Sequence, residues 1–161
     1  MGTLMIRLVQ MNEEEFEPFA HAIAINYADG KVKSGSWDAD NSIGRAKMVL
    51  EKILPQGMKT RNHFFYTIQD GGNGEHVGSI WLGVREKTED PPGLWVWDIM
   101  IDEKFRRKGY GRQTMLAAEN LGREMGQNSI SLHVFGHNRA AVELYRSLGY
   151  EPASIVMTKQ L

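Results

Sequence analysis

The sequence feature that most constrains the fold is a turn of glycine and positive charge that joins a predicted strand to a predicted helix. The turn covers Arg106–Arg112 and reads RRKGYGR. Residues 94–101 before it are rich in β-branched and aromatic side chains, a composition typical of a strand. Residues 113–125 after it place apolar side chains on one helical face, and Gly126 is a helix stop signal. The segment is therefore predicted to be a strand-to-helix turn.

This turn has the features of an anion-binding site. Its two glycines, Gly109 and Gly111, allow positive φ and a close approach of the backbone to a ligand. The first turn of the following helix leaves backbone N–H groups without partners, and the helix dipole adds partial positive charge there. The cations at 106–108 add Coulomb attraction. We therefore expect a phosphate or pyrophosphate on the turn; the alternative is a turn whose basic residues simply face solvent.

Two other phosphate-binding motifs fit this turn poorly. A P-loop requires Gly-Lys-Ser/Thr after its glycine-rich loop, and the turn lacks this sequence. The dinucleotide fingerprint requires a third glycine, where Thr114 stands, and an acidic residue about 20 residues further on, where residues 131–135 carry none. A nicotinamide-dinucleotide enzyme is therefore the weakest alternative.

A second pattern follows further along the chain. Residues 130–134 alternate as a strand, and Asn138 suits a helix N-cap. The helix that follows contains AVELYRSLGY at 141–150, in which Tyr145 lies two turns along the same side and Gly149 suits the helix end. The chain therefore contains the pattern Arg-x-x-Gly-x-Gly, then Asn, and then Ala-x-x-Leu-Tyr-x-x-x-Gly-Tyr. These patterns, in this order, resemble the two signatures of the GNAT superfamily of N-acetyltransferases.

The resemblance implies an α/β (α+β) fold with a mixed central sheet, helices on both faces, and fourth and fifth strands that splay apart. Its motif-specific part runs from Trp95 to Tyr150. The order of elements, β-ααβββαβαβ, extends it to a single N-acetyltransferase domain of residues 1–161. In that order the first strand is predicted at Thr3–Val9 and the last at Ser154–Thr158. The first helix is expected to break or end within Asp29–Trp37.

The resemblance also implies that acetyl-CoA is the co-substrate. Backbone groups of the splayed fourth strand, at 99–101, would bond the pantetheine arm, and N–H groups of residues 107–112 would bond the pyrophosphate. Asn138 would contact the pantetheine arm, or serve only as the helix cap. The implied cofactor-binding residues are Ile99, Met100, Ile101, Arg106, Arg107, Lys108, Gly109, Tyr110, Gly111, Arg112, Asn138 and Tyr145.

The reaction implied is direct acetyl transfer to a primary amine in a ternary complex. The departing sulfur needs a proton, and Tyr145, whose phenol has a reference pKa of about 10, stands at the family's general-acid position. A backbone N–H near Met100 would stabilise the thioester oxygen. The family often places a glutamate on the fourth strand as base, but Trp95 and Trp97 stand there in this chain.

The base is therefore left open between three groups. Asp98 is the only acid in the fourth strand, and burial there would raise its pKa; a structural Asp98 that bonds neighbouring backbone fits equally well. His133 on the fifth strand has a suitable reference pKa, and a water molecule is the third option. The missing glutamate favours an alternative function, a catalytically inactive CoA-binding sensor or interaction module, whereas the retained Tyr145 argues for an enzyme.

The sequence does not name the acceptor. A primary amine of a small molecule or peptide fits the reaction, and Tyr27 and Trp37 would line its site unless they are core aromatics. The pattern around these two residues is similar to a group of bacterial family members without an assigned substrate. Exposed strands and the aromatics Trp81, Trp95 and Trp97 leave room for a homodimer interface.

Composition argues against several other classes of function. A net charge of −1 argues against a nucleic-acid or anionic-membrane partner. The 161 residues include no cysteine, which rules out disulfides and a thiol nucleophile. The five histidines are scattered without metal-ligand spacing, so we expect no bound metal. Residues 1–10 lack a signal-peptide apolar region, and the sequence has no long apolar run, so we expect a cytoplasmic protein.

Overall fold

Strands and helices follow the predicted order from the first strand to the fourth helix. The computed structural model describes residues 5–161, so Thr3 and Leu4 of the predicted first strand lie outside the described residues. The elements are β1 (Ile6–Gln10), α1 (Glu13–Lys33), α2 (Ser42–Ile53), β2 (His63–Asp70), β3 (His76–Arg85), β4 (Gly93–Ile101), α3 (Tyr110–Glu124), β5 (Ile130–Leu132) and α4 (Arg139–Ser147).

The five strands form one mixed sheet in the order β1-β2-β3-β4-β5. Neighbouring strands from β1 to β4 are antiparallel, and β5 runs parallel to β4. β5 pairs only with Leu94–Val96, in the first part of β4. Residues 97–101 of β4 therefore have no strand beside them on that side within the described chain. This arrangement confirms the predicted splay of the fourth and fifth strands.

A β-bulge interrupts β4 in front of the splayed part. Trp81 of β3 pairs with Asp98, whereas the next residue of β3, Leu82, pairs with Val96. Trp97 is therefore an additional residue that has no partner of its own on β3. The additional residue shifts the alternation of side chains by one position. Side chains after the bulge therefore point to the opposite face from the one that they would have in a regular strand.

The bulge decides the face on which Asp98 lies. Val96 and Ile99 pack with the core under α3, whereas Trp97 packs with the core under α1 and Met100 contacts Asn26 of α1. Alternation from Ile99 and Met100 places Asp98 on the α1 face, together with Trp97. In a regular strand Asp98 would share the α3 face with Val96.

Helices cover both faces of the sheet, as the resemblance implies. One face carries α3 and α4, and its buried core includes Ile80, Leu82, Met115, Ala118 and Tyr145. The other face carries α1 and α2, and its buried core includes Phe16, Phe19, Ile23, Phe65 and Trp81. Each large apolar side chain buried in this way stabilises the fold by roughly 1.5–3 kcal/mol. Within residues 5–161, none of the helices has the length and apolar character needed to cross a membrane.

The first helix ends within Asp29–Trp37, as predicted. α1 continues through Gly30 and ends at Lys33. A glycine inside a helix costs roughly 0.5–1 kcal/mol relative to alanine. A Cβ at Gly30 would overlap the ring of Phe135. Gly30 therefore allows a close contact between α1 and the segment after β5, and it does not mark a helix end.

The predicted last strand, Ser154–Thr158, does not form. Residues 151–161 have neither helix nor strand, and Ile155, Val156 and Met157 are 73%, 93% and 89% exposed. The prediction of this strand relied on β-branched composition, and such a composition indicates only that a segment is suited to a sheet. A strand also needs a neighbouring strand, and no strand in the described chain pairs with this segment.

Candidate active site

The candidate site is a cavity of about 590 Å³ at the point where β4 and β5 diverge. Its walls come from α1, α2, β4, the end of β5 and α4. Residues that sequence analysis selected from three separate segments meet there. They are Trp95, Trp97, Asp98, Ile99 and Met100 of β4, His133 after β5, and Asn138 and Tyr145 at α4.

Tyr145 presents a protonated phenol to this cavity. It lies on α4, lines the cavity and is 9% exposed. Burial raises the pKa of Tyr145 to about 12, and the nearby charge of Asp98 adds to this effect. A phenol in this environment keeps its proton at neutral pH and is able to donate it.

Asp98 supplies an acid whose pKa lies near neutrality. Its Oδ2 atom is buried and has no hydrogen-bond partner among residues 5–161. Burial without such a partner disfavours the carboxylate and raises the pKa of Asp98 to about 7. This environment is not that of a structural carboxylate held by backbone bonds. A group with such a pKa is well matched to proton transfer at neutral pH.

His133 is the second titratable group at the cavity. It is more exposed than Asp98, and its ring makes an edge-on contact with Phe135, with ring centroids 5.0 Å apart. Partial burial, followed by the charge of Lys31, lowers the pKa of His133. The imidazole is therefore largely neutral at neutral pH and remains available as a base.

The turn Arg106–Arg112 forms an uncapped helix start, as predicted. Gly109 is the N-cap of α3, with φ of +89°, and no side chain caps the helix. The first backbone hydrogen bond of the helix joins Gln113 N to Gly109 O at 3.1 Å, so the N–H groups of residues 110–112 make no hydrogen bond within the helix. Beyond its two chain neighbours, no described residue has a heavy atom within 4 Å of the Cβ position of Gly109, so this side of the turn is open.

Three side chains fix this turn to the rest of the protein. The Tyr110 hydroxyl donates to Asp70 Oδ2 at 2.6 Å, which lowers the pKa of Asp70. Arg106 Nε donates to Ile101 O at 2.9 Å, and Arg112 Nη1 donates to the Ser147 hydroxyl at 3.0 Å. The side chain of Tyr110 is therefore structural, and only its backbone N–H is available to a ligand. Arg107 and Lys108 are exposed.

The predicted pantetheine-binding residues do not all reach the cavity. Ile99 and Met100 line it, whereas Ile101 packs against the core under α3. Asn138 lines it and also caps α4, because its Oδ1 accepts a bond from Ala141 N at 3.3 Å. The predicted N-cap is confirmed, and the cap leaves the amide nitrogen of Asn138 uncommitted.

The aromatic residues divide between cavity and core. Tyr27 lines the cavity and packs edge-on against Trp37, with ring centroids 5.5 Å apart. Trp81 is 2% exposed, and its Nε1 donates to His63 Nδ1 at 3.0 Å. Trp81 is buried, Trp95 and Trp97 are half-buried, and all three line the cavity, so they are not a fully exposed surface. The homodimer stays a prediction.

Sequence analysis selected Tyr27 of α1 but missed two other residues of this helix, and it missed the bulge. Asn26 and Lys31 line the cavity, and Asn26 Nδ2 donates to Met100 Sδ at 3.8 Å. Lys31 lies four residues after Tyr27 on the same helical face, and this spacing was the available signal for Lys31. Among residues 5–161, no group of three His, Asp or Glu residues is arranged to hold a metal ion.

Sequence comparisons place this geometry in a known family. The model of the Acetyltransferase (GNAT) family matches residues 36–150. The uncharacterized N-acetyltransferase YycN of Bacillus subtilis (strain 168) is 33% identical over 159 residues, which cover 98% of this chain and 100% of YycN. The uncharacterized N-acetyltransferase YdgE of the same organism is 32% identical over 154 residues, which cover 96% of this chain and 97% of YdgE.

Solved structures agree with these matches. The crystal structure of YycN, a putative acetyltransferase, has a TM-score of 0.90 at 31% identity and covers 97% of this chain and 98% of its own. AAC(6')-Iy, in complex with the bisubstrate analog CoA-S-monomethyl-acetylneamine, has a TM-score of 0.58 at 15% identity over 97% of both chains, so it is similar in fold alone. The family model covers more than half of the chain, and a full-length relative exceeds 30% identity. The chain therefore belongs to the GNAT family of acetyltransferases and is an acyltransferase.

Proposed function

We propose that residues 1–161 act as one N-acetyltransferase domain that transfers the acetyl group of acetyl-CoA directly to a primary amine in a ternary complex. The observation that carries this proposal is the content of the cavity. Asp98, with a pKa of about 7, and Tyr145, with a pKa of about 12, line the same space beside the open edge of β4. Asp98 is suited to accept a proton and Tyr145 is suited to donate one.

The splayed part of β4 supports acetyl-CoA as the donor. Backbone groups of residues 97–101 that face the gap have no strand partner among residues 5–161, and buried backbone groups are costly to leave unpaired. The amides of a pantetheine arm would pair with them like an added strand. The amide nitrogen of Asn138 would donate to a pantetheine carbonyl. The fold neighbour AAC(6')-Iy, whose ligand is a CoA-containing analog, supports this donor.

The open start of α3 supports a pyrophosphate site next to this channel. The N–H groups of Tyr110, Gly111 and Arg112 precede the first helical bond, and the helix dipole adds positive charge. The exposed side chains of Arg107 and Lys108 add Coulomb attraction. Arg106 links this turn to the end of β4 through the Ile101 carbonyl, so both parts of the cofactor would be bound by one connected unit.

The proposed reaction begins when Asp98 takes a proton from the acceptor ammonium, directly or through a water molecule. The free amine attacks the thioester carbonyl, and a backbone N–H near Met100 that faces the gap stabilises the negative oxygen that results. The tetrahedral intermediate then collapses with cleavage of the C–S bond. Tyr145 gives its proton to the leaving sulfur, and the proton lost from the new amide returns to the tyrosinate through solvent.

The charges of the cavity indicate the acceptor. Among the described residues that line it, Asp98 is the only acid and Lys31 is the only permanent cation. Polyamines and aminoglycosides carry several positive charges and would need several acids at this site. Aromatic walls from Tyr27, Trp95 and Trp97 favour an apolar or aromatic body. We infer that the acceptor is a small molecule or peptide with a single amine near the reacting centre.

Thermal unfolding and thiol release test this function together. A ligand at about 100 times its dissociation constant adds roughly 2.7 kcal/mol to the free energy of unfolding. We expect acetyl-CoA and CoA to raise the unfolding midpoint and NAD to leave it unchanged. A panel of primary amines is then tested for CoA thiol release, and the protein contributes no thiol because it has no cysteine. Binding of CoA without turnover of any amine would contradict the proposed reaction, and no binding would contradict the cofactor.

A further inference from the structure

Lys31 is a half-buried cation of the cavity without an ionic partner. It lies in the last turn of α1, lines the cavity and places its Nζ atom 5.5 Å from the centroid of the Tyr27 ring. Among residues 5–161, no carboxylate lies within 4.0 Å of its ammonium, whereas the nearby Lys33 pairs with Asp29 at 2.7 Å. A partly desolvated ammonium is stabilised by an anion. The described chain does not supply that anion to Lys31.

Helix α1 crosses the gap between the splayed strands and brings Lys31 to its far side. Asn26 of α1 contacts β4, because its Nδ2 atom donates to Met100 Sδ at 3.8 Å. One turn later Gly30 faces the segment after β5, and a Cβ at Gly30 would overlap the ring of Phe135. Lys31 lies roughly 7.5 Å beyond Asn26 along the helix axis. It is therefore on the β5 side of the gap.

His133 lies on the same side of the gap as Lys31. It directly follows β5 and lines the cavity. Partial burial and then the charge of Lys31 lower the pKa of His133, so the two side chains are close enough for the ammonium to act on the imidazole. A neutral imidazole keeps one N–H donor. Among the described residues, the β5 side thus offers a cation and a hydrogen-bond donor, and Asp98 on β4 is the only acid that lines the cavity.

We propose that the acceptor is an amino acid whose amine lies beside Asp98 on the β4 side of the cavity and whose carboxylate pairs with Lys31 on the β5 side. This proposal rests on the proposed acetyl transfer. Tyr27, Trp95 and Trp97 form aromatic walls that would hold an apolar or aromatic carbon skeleton between the two charges. The cavity, of about 590 Å³, has the size of a small-molecule site. One carboxylate matches the one cation, whereas a phosphate dianion would be left with excess negative charge.

A phosphate of CoA is a less suitable anion for Lys31. The proposed pyrophosphate site is the start of α3, and α3 packs on one face of the sheet while α1 packs on the other. The sheet therefore separates Lys31 from a phosphate bound at α3. The acceptor is the component that would bind on the α1 face.

Matched acceptors test the carboxylate. Each pair consists of an amino acid and its amide, which keeps the amine and the size but lacks the negative charge. The pairs are built on phenylalanine, leucine, γ-aminobutyrate and ε-aminocaproate, and CoA thiol release gives kcat/KM for each compound. The natural chain is compared with Lys31→Met, which removes the charge, and Lys31→Arg, which retains it. Lys33→Met, at a residue outside the cavity that pairs with Asp29, is the control.

We expect Lys31→Met to lower the acid-to-amide ratio of kcat/KM about 10- to 100-fold for at least one pair, because the carboxylate loses a charged partner in a half-buried site. The intrinsic reactivity of each amine cancels when this ratio is compared between the natural chain and the variant. Lys31→Arg should retain most of the natural ratio, and Lys33→Met should leave it unchanged. Turnover with equal ratios in the natural chain and in Lys31→Met for every pair would overturn the proposal and leave the acetyl transfer standing.

Calorimetry separates a failure of this proposal from a failure of the proposed function. Each amino acid and each amide is titrated into the protein with and without CoA, so that no acetyl group is available. We expect the amino acid of at least one pair to bind at least tenfold more tightly than its amide, and Lys31→Met to lose this difference. That result without any turnover would contradict the acetyl transfer but support the carboxylate site. If no amino acid binds more tightly than its amide, the carboxylate site is overturned whatever the turnover.

Discussion

At the scale of single residues, Asp98 and Tyr145 have opposite tasks that arise from one environment. Burial favours the neutral form of both groups, and this effect brings the pKa of Asp98 up to about 7 and that of Tyr145 to about 12. At neutral pH the acid is partly ionised and the phenol is protonated. The proposed proton transfers require this combination.

Replacement of Tyr145 by phenylalanine is expected to lower turnover about 10- to 10³-fold, because the leaving sulfur loses its proton donor. Binding of acetyl-CoA, measured by the shift in unfolding midpoint, should survive. Tyr150→Phe is the matched control, since the Tyr150 ring lies 5.9 Å from that of Tyr145 but does not line the cavity. Equal turnover of Tyr145→Phe and Tyr150→Phe would remove Tyr145 from the mechanism.

The natural enzyme is expected to show a rise of kcat/KM with pH around pH 7, because that rise would follow ionisation of the base. Replacement of Asp98 by asparagine is expected to abolish this rise. The rate at high pH should fall about 10²- to 10⁴-fold. Asp40→Asn, the same change at an exposed site, should leave the profile intact. If the rise persists in Asp98→Asn, the base is another group, and His133→Gln becomes the variant to measure.

The same substitution is expected to stabilise the protein in a pH-dependent way. Below about pH 3 the Asp98 carboxyl is protonated in both the folded and the unfolded state. As pH rises from there toward 7 the unfolded state ionises first, so the free energy of unfolding falls. Above pH 7 the full cost of the buried carboxylate is present, up to roughly 4 kcal/mol. Asp98→Asn should therefore raise the unfolding midpoint at about pH 8 and leave it nearly unchanged at about pH 3. Equal effects at both pH values would show that burial does not raise the pKa of Asp98.

At the scale of elements, α3 has positive-φ glycines at both ends, which allows a matched comparison. Gly109 precedes the helix with φ of +89° and Gly126 follows it with φ of +75°. Apart from the chain neighbours, no heavy atom of the described residues lies within 4 Å of either Cβ position. Alanine at either site should cost roughly 1–2 kcal/mol of stability, because a Cβ disfavours this backbone conformation. Only Gly109→Ala should also weaken CoA binding, by about tenfold, since only this end is proposed to bind phosphate. Equal CoA affinities for the two variants, measured by calorimetry, would place the pyrophosphate elsewhere.

At the scale of the whole molecule, the cavity is lined by α1, α2, β4 and α4, and its charged residues come from different elements, Lys31 from α1 and Asp98 from β4. Lys31→Glu gives it a second acid and is expected to raise kcat/KM for diamines relative to monoamines by roughly tenfold. Lys47→Glu, an exposed change on α2 outside the cavity, is the control. Measurement of the diamine-to-monoamine ratio tests the inferred acceptor class. An unchanged ratio in Lys31→Glu would show that the acceptor does not bind beside Lys31.

Local sequence was sufficient for most elements and for two signatures of the site. The glycine-rich turn, the N-cap at Asn138 and the positive φ of Gly149 follow from short-range rules, because each depends on a few adjacent residues. The position of Tyr145 on α4 follows from helical periodicity. The splay of the fourth and fifth strands came from the resemblance to a family, and the pairing of β5 with Leu94–Val96 alone confirms it.

The tertiary structure alone decided which face Asp98 occupies, how far α1 extends and where the C-terminal segment lies. The bulge at Trp97 depends on pairing with β3, and the passage of α1 through Gly30 depends on contact with Phe135. Residues 154–158 form no strand, because no strand of the described chain lies beside them. Periodicity and propensity describe what a segment favours by itself. Strand pairing, burial and the pKa values that follow from burial depend on contacts between residues far apart in the chain, and only the folded molecule fixes these.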